Sequence, residues 1–451
     1  MQATQKEIHS PHENYRVRNR WWFLAFTIIC EFAYMYNSTS ITTLQTPIEK
    51  EFNLNEFEYG QILTFENLPG LFAPLTAGFL ADRFGSGLIC ILSLLTNYMG
   101  QFISTYAVAN LNYWVLIVGR VFHLTGIQAV IICKNKMFKS WFTANELGKA
   151  ASICMIFDSL AMVLCDIGYP NLYQSSQSLF LPFAVGSGLL LVTSAFGIFQ
   201  VILHQRLVRI SPESQTDVQS SFNASLKAIK TFPAIYWITM GYSVTAFLSF
   251  FCTKAFIMRY LQTQFNFLVG EAGIILAVAM VVSGVGCILA GIILDKYGRL
   301  PTAAVLGAAL VTIGNAINIV LPQCDKCLVG GLPLTIMSLG SVITLILPFL
   351  ITVRLIKGPS LGVALAFPMF LIASTMMVFP AMEGAISDHT FAESGYFWVF
   401  LLNTGIGVIA VLLGVAIFVI DSQGSKKLQS GVANTMRDSL AIVTSVNDSD
   451  I

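Results

Sequence analysis

Glu31, Glu66, Arg120 and Asp158 lie inside stretches that are otherwise apolar. Ionisable groups at bilayer depth cost roughly 2.5–3.5 kcal/mol each on insertion scales, so each must face a cavity, water or a counter-ion. The chemistry open to such a set is solute binding and proton handling. No nucleophile–base constellation or metal-ligand cluster is spaced for bond-breaking, so neither an enzyme nor a cofactor is expected. Glu31 stands seven residues before Ser38 and thus nearly on the same helical face. It is expected to serve a cavity, or else to be kept protonated or paired with a neighbouring span. Arg120 cannot shed its charge and must find water or an acid such as Glu31. His123 and Lys134 fall within about 60° of the same helical stripe, a basic face able to attract a carboxylate or other anion. Lys134 is expected to snorkel at the cytosolic end and His123 to act as a hydrogen-bonded spacer. Asp158 and Glu66 are expected to join the first-half polar network. Glu66 sits beside Asn67, Pro69 and Gly70, where a kink would also free backbone groups to satisfy.

The elements that must carry these residues follow from composition. Of 451 residues, 55% are hydrophobic and 11% charged, too apolar for a soluble chain of several domains. A spanning helix needs roughly 20 mostly apolar residues. Such runs occur near 21–43, 60–81, 87–107, 112–133, 147–169, 179–203, 233–256, 271–294, 301–322, 332–353, 359–381 and 396–420. The expected fold is an all-α integral membrane protein of twelve transmembrane helices in two pseudo-symmetric six-helix bundles, residues 21–204 and 233–420. Residues 1–20, the linker 205–232 and residues 421–451 are expected to be cytosolic. The opening residues lack an apolar core followed by small residues, so the first span is expected to serve as its own insertion signal. On the predicted non-cytosolic loops the basic residues are Lys50, Lys254, Arg259 and Lys326, and Arg120 is inside a span. The other Lys and Arg residues place both termini in the cytosol. A net charge of +1 implies no nucleic-acid partner. The second half shows no charged residue within its assigned apolar cores, so polar recognition is expected from the first half, with Phe247, Phe250 and Phe251 as second-half packing groups.

Internal repetition supports the two-bundle reading. Gly78-Phe-Leu-Ala-Asp82-Arg83-Phe-Gly85 follows the second span and Gly291-Ile-Ile-Leu-Asp295-Lys296-Tyr-Gly298-Arg299 the eighth, sharing G-x-x-x-D-[RK]-[FY]-G. Glycine allows tight turning, aspartate can accept from orphan amides at a helix amino end, and the basic residues complete a cytosolic latch. On this motif the chain resembles the major facilitator superfamily, although Ser86 and Gly87 stand where that family usually has a basic pair.

Over roughly residues 30–206 the chain is similar to one branch of that superfamily, the lysosomal dipeptide uniporters. The resemblance rests on Tyr36-Asn37 with Leu44-Gln45-Thr46, Gly119-Arg120, Gly126, Asn135, Ser140-Trp141-Phe142, Glu146-Leu147, Leu172-Tyr173 and Gln205-Arg206. It implies alternating access for a small solute, with dipeptides and an endomembrane, the lysosome foremost, as expectations; the plasma membrane is the alternative. The family's first-span aspartate is Asn37 here, its acid before Gly-Arg is Ile117, and its fifth-span arginine falls near Ser159. A dipeptide needs an acid or oxygen cluster for its ammonium and a cation for its carboxylate, so these changes leave an organic anion or another metabolite, with or without protons, as the alternative substrate. A non-transporting sensor is a third, weaker reading. The expected binding set is Glu31, Asn37, Glu66, Arg120 and Asp158. Asn223-Ala-Ser and Asn447-Asp-Ser match the glycosylation acceptor but fall on predicted cytosolic segments. The resemblance therefore implies a glycosylated accessory subunit as protecting partner. Cys324-Asp-Lys-Cys327 suits either a disulfide or two unpaired thiols, and a zinc site there would lack two ligands.

Overall fold

Lipid offers no partner for a backbone N–H or C=O, so apolar segments satisfy themselves as helices. The computed structural model describes residues 11–210, 232–356, 361–424 and 428, and every regular element among them is helical. Most of the linker and tails, with Asn223 and Asn447, lies outside the described residues. The first nine α-helices are α1 (Pro11–Ser38), α2 (Ser40–Thr43), α3 (Gln45–Phe52), α4 (Glu56–Asn67), α5 (Pro69–Phe84), α6 (Ser86–Ala109), α7 (Tyr113–Trp141), α8 (Ala144–Ser176) and α9 (Phe180–Ile210). There follow α10 (Ala234–Phe265), α11 (Val269–Tyr297), α12 (Leu300–Val320), α13 (Gly331–Leu355), α14 (Leu361–Met376), α15 (Phe379–Ser394) and α16 (Phe397–Gln423).

Among the described residues ten helical stretches, from Ser86–Ala109 to Phe397–Gln423, are long and apolar enough to cross a membrane, and they overlap the last ten expected spans. The first two crossings fall to less uniform segments. Helix α1 includes Arg16, Arg18, Arg20 and Glu31 in its length. The second expected span is broken at Leu68 into α4 and α5, with Pro69 opening the new helix, where its missing N–H costs nothing. The kink expected beside Glu66 is thus present at Leu68, whose backbone stays in the right-handed helical region.

The chain groups into two compact units, one of Met1–Thr43 with Phe65–Gln219, the other of Leu44–Thr64 with Ser220–Ile451. Residues 44–64, expected within the first bundle, pack with the second. In the first unit α6 and α7 lie closest, because Gly100 and Gly126 remove side chains where the helices cross. A Cβ on Gly100 would collide with the backbone nitrogen of His123, and one on Gly126 with that of Asn97. Thr143 and Glu146 form a capping box at the start of α8. Glu146 also accepts from Arg20 at 2.6 Å, tying α1 to that helix start. In the second unit Cys324 and Cys327 are joined by a disulfide. Gly126→Ala is expected to overpack the α6–α7 crossing and cost about 1–3 kcal/mol, read as a lower unfolding midpoint of the purified protein, whereas Gly188→Ala, with open space around its Cβ, should leave the midpoint unchanged.

Candidate functional site

Glu31 is 1% exposed, about three-quarters of the way along α1. Tyr34, one turn on, donates to Glu31 Oε1 at 3.0 Å, and the Lys134 ammonium of α7 donates to the same oxygen. Asp158 of α8 faces the same carboxyl, with Cys154 beside them. Glu31 Oε2 and Asp158 Oδ1 meet no hydrogen-bond donor among the described residues. Two carboxyls against one ammonium leave a negative charge to be met by a proton or a cationic ligand group. Lys134, expected to snorkel, is turned inward instead, because a buried carboxylate attracts an ammonium more strongly than the interface does.

Arg120 has a different partner from the one expected. Its side chain is fully buried and forks onto Glu66, Nη2 to Oε1 at 2.6 Å and Nε to Oε2 at 3.2 Å, rather than onto Glu31. The remaining donors reach Ser38 O at 3.0 Å, Asn37 O at 3.3 Å and Ser40 Oγ at 3.3 Å. The guanidinium is thus satisfied inside the first unit. Asn37 is likewise closed: its amide donates to Ala33 O at 2.7 Å and Gly186 O at 3.3 Å and accepts from Tyr169 at 2.6 Å. His123 is buried against Asn97 at 3.2 Å, as a hydrogen-bonded spacer would be. Asp166, absent from the expected set, accepts from Thr43 at 2.7 Å; a single acid in an apolar run gave the only signal.

A second cluster lies wholly within the second unit and was not expected from sequence. Arg259 of α10 binds Glu49 Oε2 at 2.6 Å and Glu56 Oε1 at 3.2 Å. Gln45 donates to Glu49 at 2.8 Å, Tyr396 to Glu56 at 2.7 Å, and Asp388 accepts from the Glu56 and Phe57 amides at 2.9 and 2.8 Å. Glu49 lies on the short helix α3, beyond the expected first span that ends near residue 43. Burial pushes its carboxyl up to about 7, and Glu56 adds to the rise while Arg259 and Gln45 oppose it.

The expected absence of charge from the second-half cores does not hold. Lys254, assigned to a loop, is 6% exposed within α10, with Met280 Sδ at 3.6 Å. Glu383 is fully buried in α15, in a span that runs to Thr390 and so past the apolar stretch expected to end near 381. Phe247 and Phe251 stack at 4.0 Å, and Phe250 packs with Val311 and Met337. Both copies of the repeated motif end a helix at a glycine of positive φ, Gly85 at 88° and Gly298 at 70°. Lys136 donates to Gly78 O at 2.8 Å, and Arg83 lies over the Phe84 ring. Arg299 follows Gly298 at a φ of 48°. The side chains of Asp82, Asp295 and Lys296 lie outside the described residues.

Removing Arg120 with Glu66 left in place strands a buried carboxylate. Arg120→Ala is expected to cost about 3–5 kcal/mol, read as a lower unfolding midpoint, and adding Glu66→Gln should recover much of the loss. For Glu49 the sign follows from a folded value near 7 against a reference of 4.5. Its protonated form stabilises the fold below the reference value, and that stability is lost as pH rises through about 7. Unfolding midpoints measured against pH should shift in favour of Glu49→Gln over wild type across that window, by up to about 3 kcal/mol.

Residues 27–380 match the family described as Major Facilitator Superfamily. Among solved structures the chain is similar to a bacterial homolog of the human lysosomal transporter Spinster in an inward-facing, unoccupied conformation, with 15% identity, TM-score 0.68, and 91% of this chain and 98% of that one covered. It is also similar to a point mutant of the nucleoside transporter NupG, with 14% identity, TM-score 0.67 and coverage of 88% and 99%. A third match is a point mutant of the peptide transporter POT in complex with sulfate, with 12% identity, TM-score 0.68 and coverage of 91% and 96%. No curated relative matches the chain by sequence.

Proposed function

Because this chain belongs to the major facilitator superfamily, we propose that it carries a small organic solute bearing an amino group, dipeptides foremost, across its membrane by alternating access. The observation behind this reading is the charge balance of the first unit. Glu31 and Asp158 share one lysine and keep an undonated oxygen each, which suits a solute ammonium. Arg120 and Glu66, by contrast, satisfy one another, and with Asn37 they form a frame that positions the end of α1. An organic anion bound in the first unit would need a free cation, and there Arg120 and Lys134 are already engaged by acids and His123 by Asn97.

The repeated motif residues, Gly78, Asp82, Arg83 and Gly85 with Asp295, Lys296, Gly298 and Arg299, act in this reading as latches between successive crossings. The Lys/Arg distribution supports cytosolic termini. The resemblance of residues 30–206 to lysosomal dipeptide uniporters supports an endomembrane location and a glycosylated accessory subunit. Among the similar structures the peptide transporter supports peptides in the first panel, and the nucleoside transporter adds nucleosides to it.

Uptake into liposomes holding the purified chain tests the reading, using dipeptides, amino acids, nucleosides and organic anions. A dipeptide or another amino-bearing solute should enter, and Asp158→Asn or Glu31→Gln should cut uptake by about tenfold or more, the scale of one lost charge-assisted hydrogen bond. Uptake of organic anions alone, or uptake indifferent to both substitutions, contradicts it.

A further inference from the structure

Helix α15 carries a second ionisable feature that the solute site does not use. Glu383 and Ser387 stand one turn apart on it, and both are fully buried. Neither oxygen of Glu383 accepts a hydrogen bond among the described residues. The Cys252 thiol of α10 and the Asn403 amide of α16 stand beside it as the nearest donors, without closing a hydrogen bond of ordinary geometry. No described base faces it. Lys254, two residues beyond Cys252, sits against Met280. Helix α14 brings no ionisable residue. On α15 itself, Asp388 is engaged with the Glu56 and Phe57 amides, and His389 is exposed. The Asn403 amide donates to Thr253 at 3.1 Å, and Thr253 donates to Asn315 at 2.6 Å, but Asn403 Oδ1 accepts from nothing described. A carboxylate placed here would meet no cation, only a thiol and an amide whose hydrogens fall short of hydrogen-bond geometry. A carboxylic acid brings its own hydrogen to a site whose oxygens are otherwise left without one.

The same helix links Glu383 to the Arg259 cluster. Gly384 packs on the backbone of Glu56, and the Ser387 hydroxyl neighbours the Glu56 carboxyl. Glu56 Oε1 is occupied by Tyr396 and Arg259, while Oε2 accepts no hydrogen bond among the described residues. Glu56 Oε2, Ser387 Oγ and the Glu383 oxygens are thus buried without a hydrogen bond of ordinary geometry, with the Ser387 hydroxyl as the donor that faces Glu56 and with Arg259 on the other Glu56 oxygen. We propose that Glu383 is a proton-binding site of the second unit, loaded through Glu56 and Ser387 from helix α3, which carries Glu49. A proton arriving at Glu56 Oε2 passes to Ser387 Oγ as Ser387 releases its own hydroxyl hydrogen to Glu383. Glu56 and Ser387 end as they began, and Glu383 gains one proton. The α3 end is the expected source because burial raises the Glu49 carboxyl there to about 7. The use of this proton in transport rests on the transporter reading; the site itself needs no solute.

Infrared spectra of the full chain in liposomes, recorded against pH and after transfer to D2O, test the proposal without a substrate. Wild type should show a protonated-carboxyl stretch that Glu383→Gln removes and Glu383→Asp shifts, while Glu31→Gln and Asp158→Asn leave it in place. Ser387→Ala should slow deuterium exchange of that band by about tenfold or more, as loss of a proton relay does. Monodisperse gel filtration certifies each variant as folded, and the Asp variant alone decides the matter should the Gln variant misfold. No such band in wild type at any pH, a band indifferent to Glu383, or an exchange rate unchanged in Ser387→Ala overturns the proposal. Failure of the transporter reading would appear separately, as a chain with this band intact that moves no solute.

Discussion

An arginine that cannot lose its charge, fully buried at position 120, organises the first unit around itself. Its fork holds Glu66 on α4, and its remaining donors hold the carbonyls of Asn37 and Ser38. Those carbonyls belong to the last residues of α1, where a helix end leaves acceptors without intrahelical partners. In hydrocarbon each such group would cost several kcal/mol. Arg120 meets that demand, so α1 can stop at Ser38 and turn into α2 at membrane depth. The same contact gives Glu66 its counter-ion just before the chain kinks at Leu68. One side chain therefore explains two irregularities, the end of the first span and the division of the second, at positions where regular helix would otherwise be required.

The second unit solves the same problem with neutral groups. Ser249, Thr253, Asn315 and Asn403 form a mutual network in which Asn315 donates to Ser249 O at 2.9 Å and Ser249 donates to Asn403 O at 2.9 Å. Amides and hydroxyls both donate and accept, so three helices can be locked together with little net charge buried. Charge is concentrated instead at the cluster around Arg259, where residues 44–64 join this unit. The desolvation cost of Arg259 is shared between two carboxylates there, and Tyr396 and Gln45 complete their hydrogen bonds.

The helical architecture was legible in the sequence because membrane crossing is a composition signal, and the last ten crossings overlap the apolar runs. The glycines of the repeated motif were legible for a related reason: Gly85 and Gly298 adopt the positive φ that other residues avoid. Pairing was not legible. Arg120 and Glu66 are 54 residues apart and Arg259 and Glu49 are 210 apart, separations at which helical periodicity carries no information. Lys134 was read by depth alone, and depth cannot reveal that Glu31 lies across from it. Glu383 was lost to a boundary placed near residue 381, since one acid shortens an apolar run on any hydropathy measure even when the helix continues.

What separates framework from function among these buried charges is unused hydrogen-bonding capacity. Arg120 has its donors engaged and Glu66 both oxygens bound, so neither can accept a ligand without surrendering a contact that holds the fold. Glu31, Asp158 and Glu383 each retain at least one buried oxygen with no described group donating to it at hydrogen-bond geometry. A fold tolerates such a deficit only at a cost of about 1–3 kcal/mol per group. That cost falls away when a proton or an ammonium arrives, so the deficit itself becomes part of the binding free energy. Incomplete satisfaction at these three carboxyls, set beside complete satisfaction at Arg120, is therefore the physical basis for placing solute and proton binding at the former and rigidity at the latter.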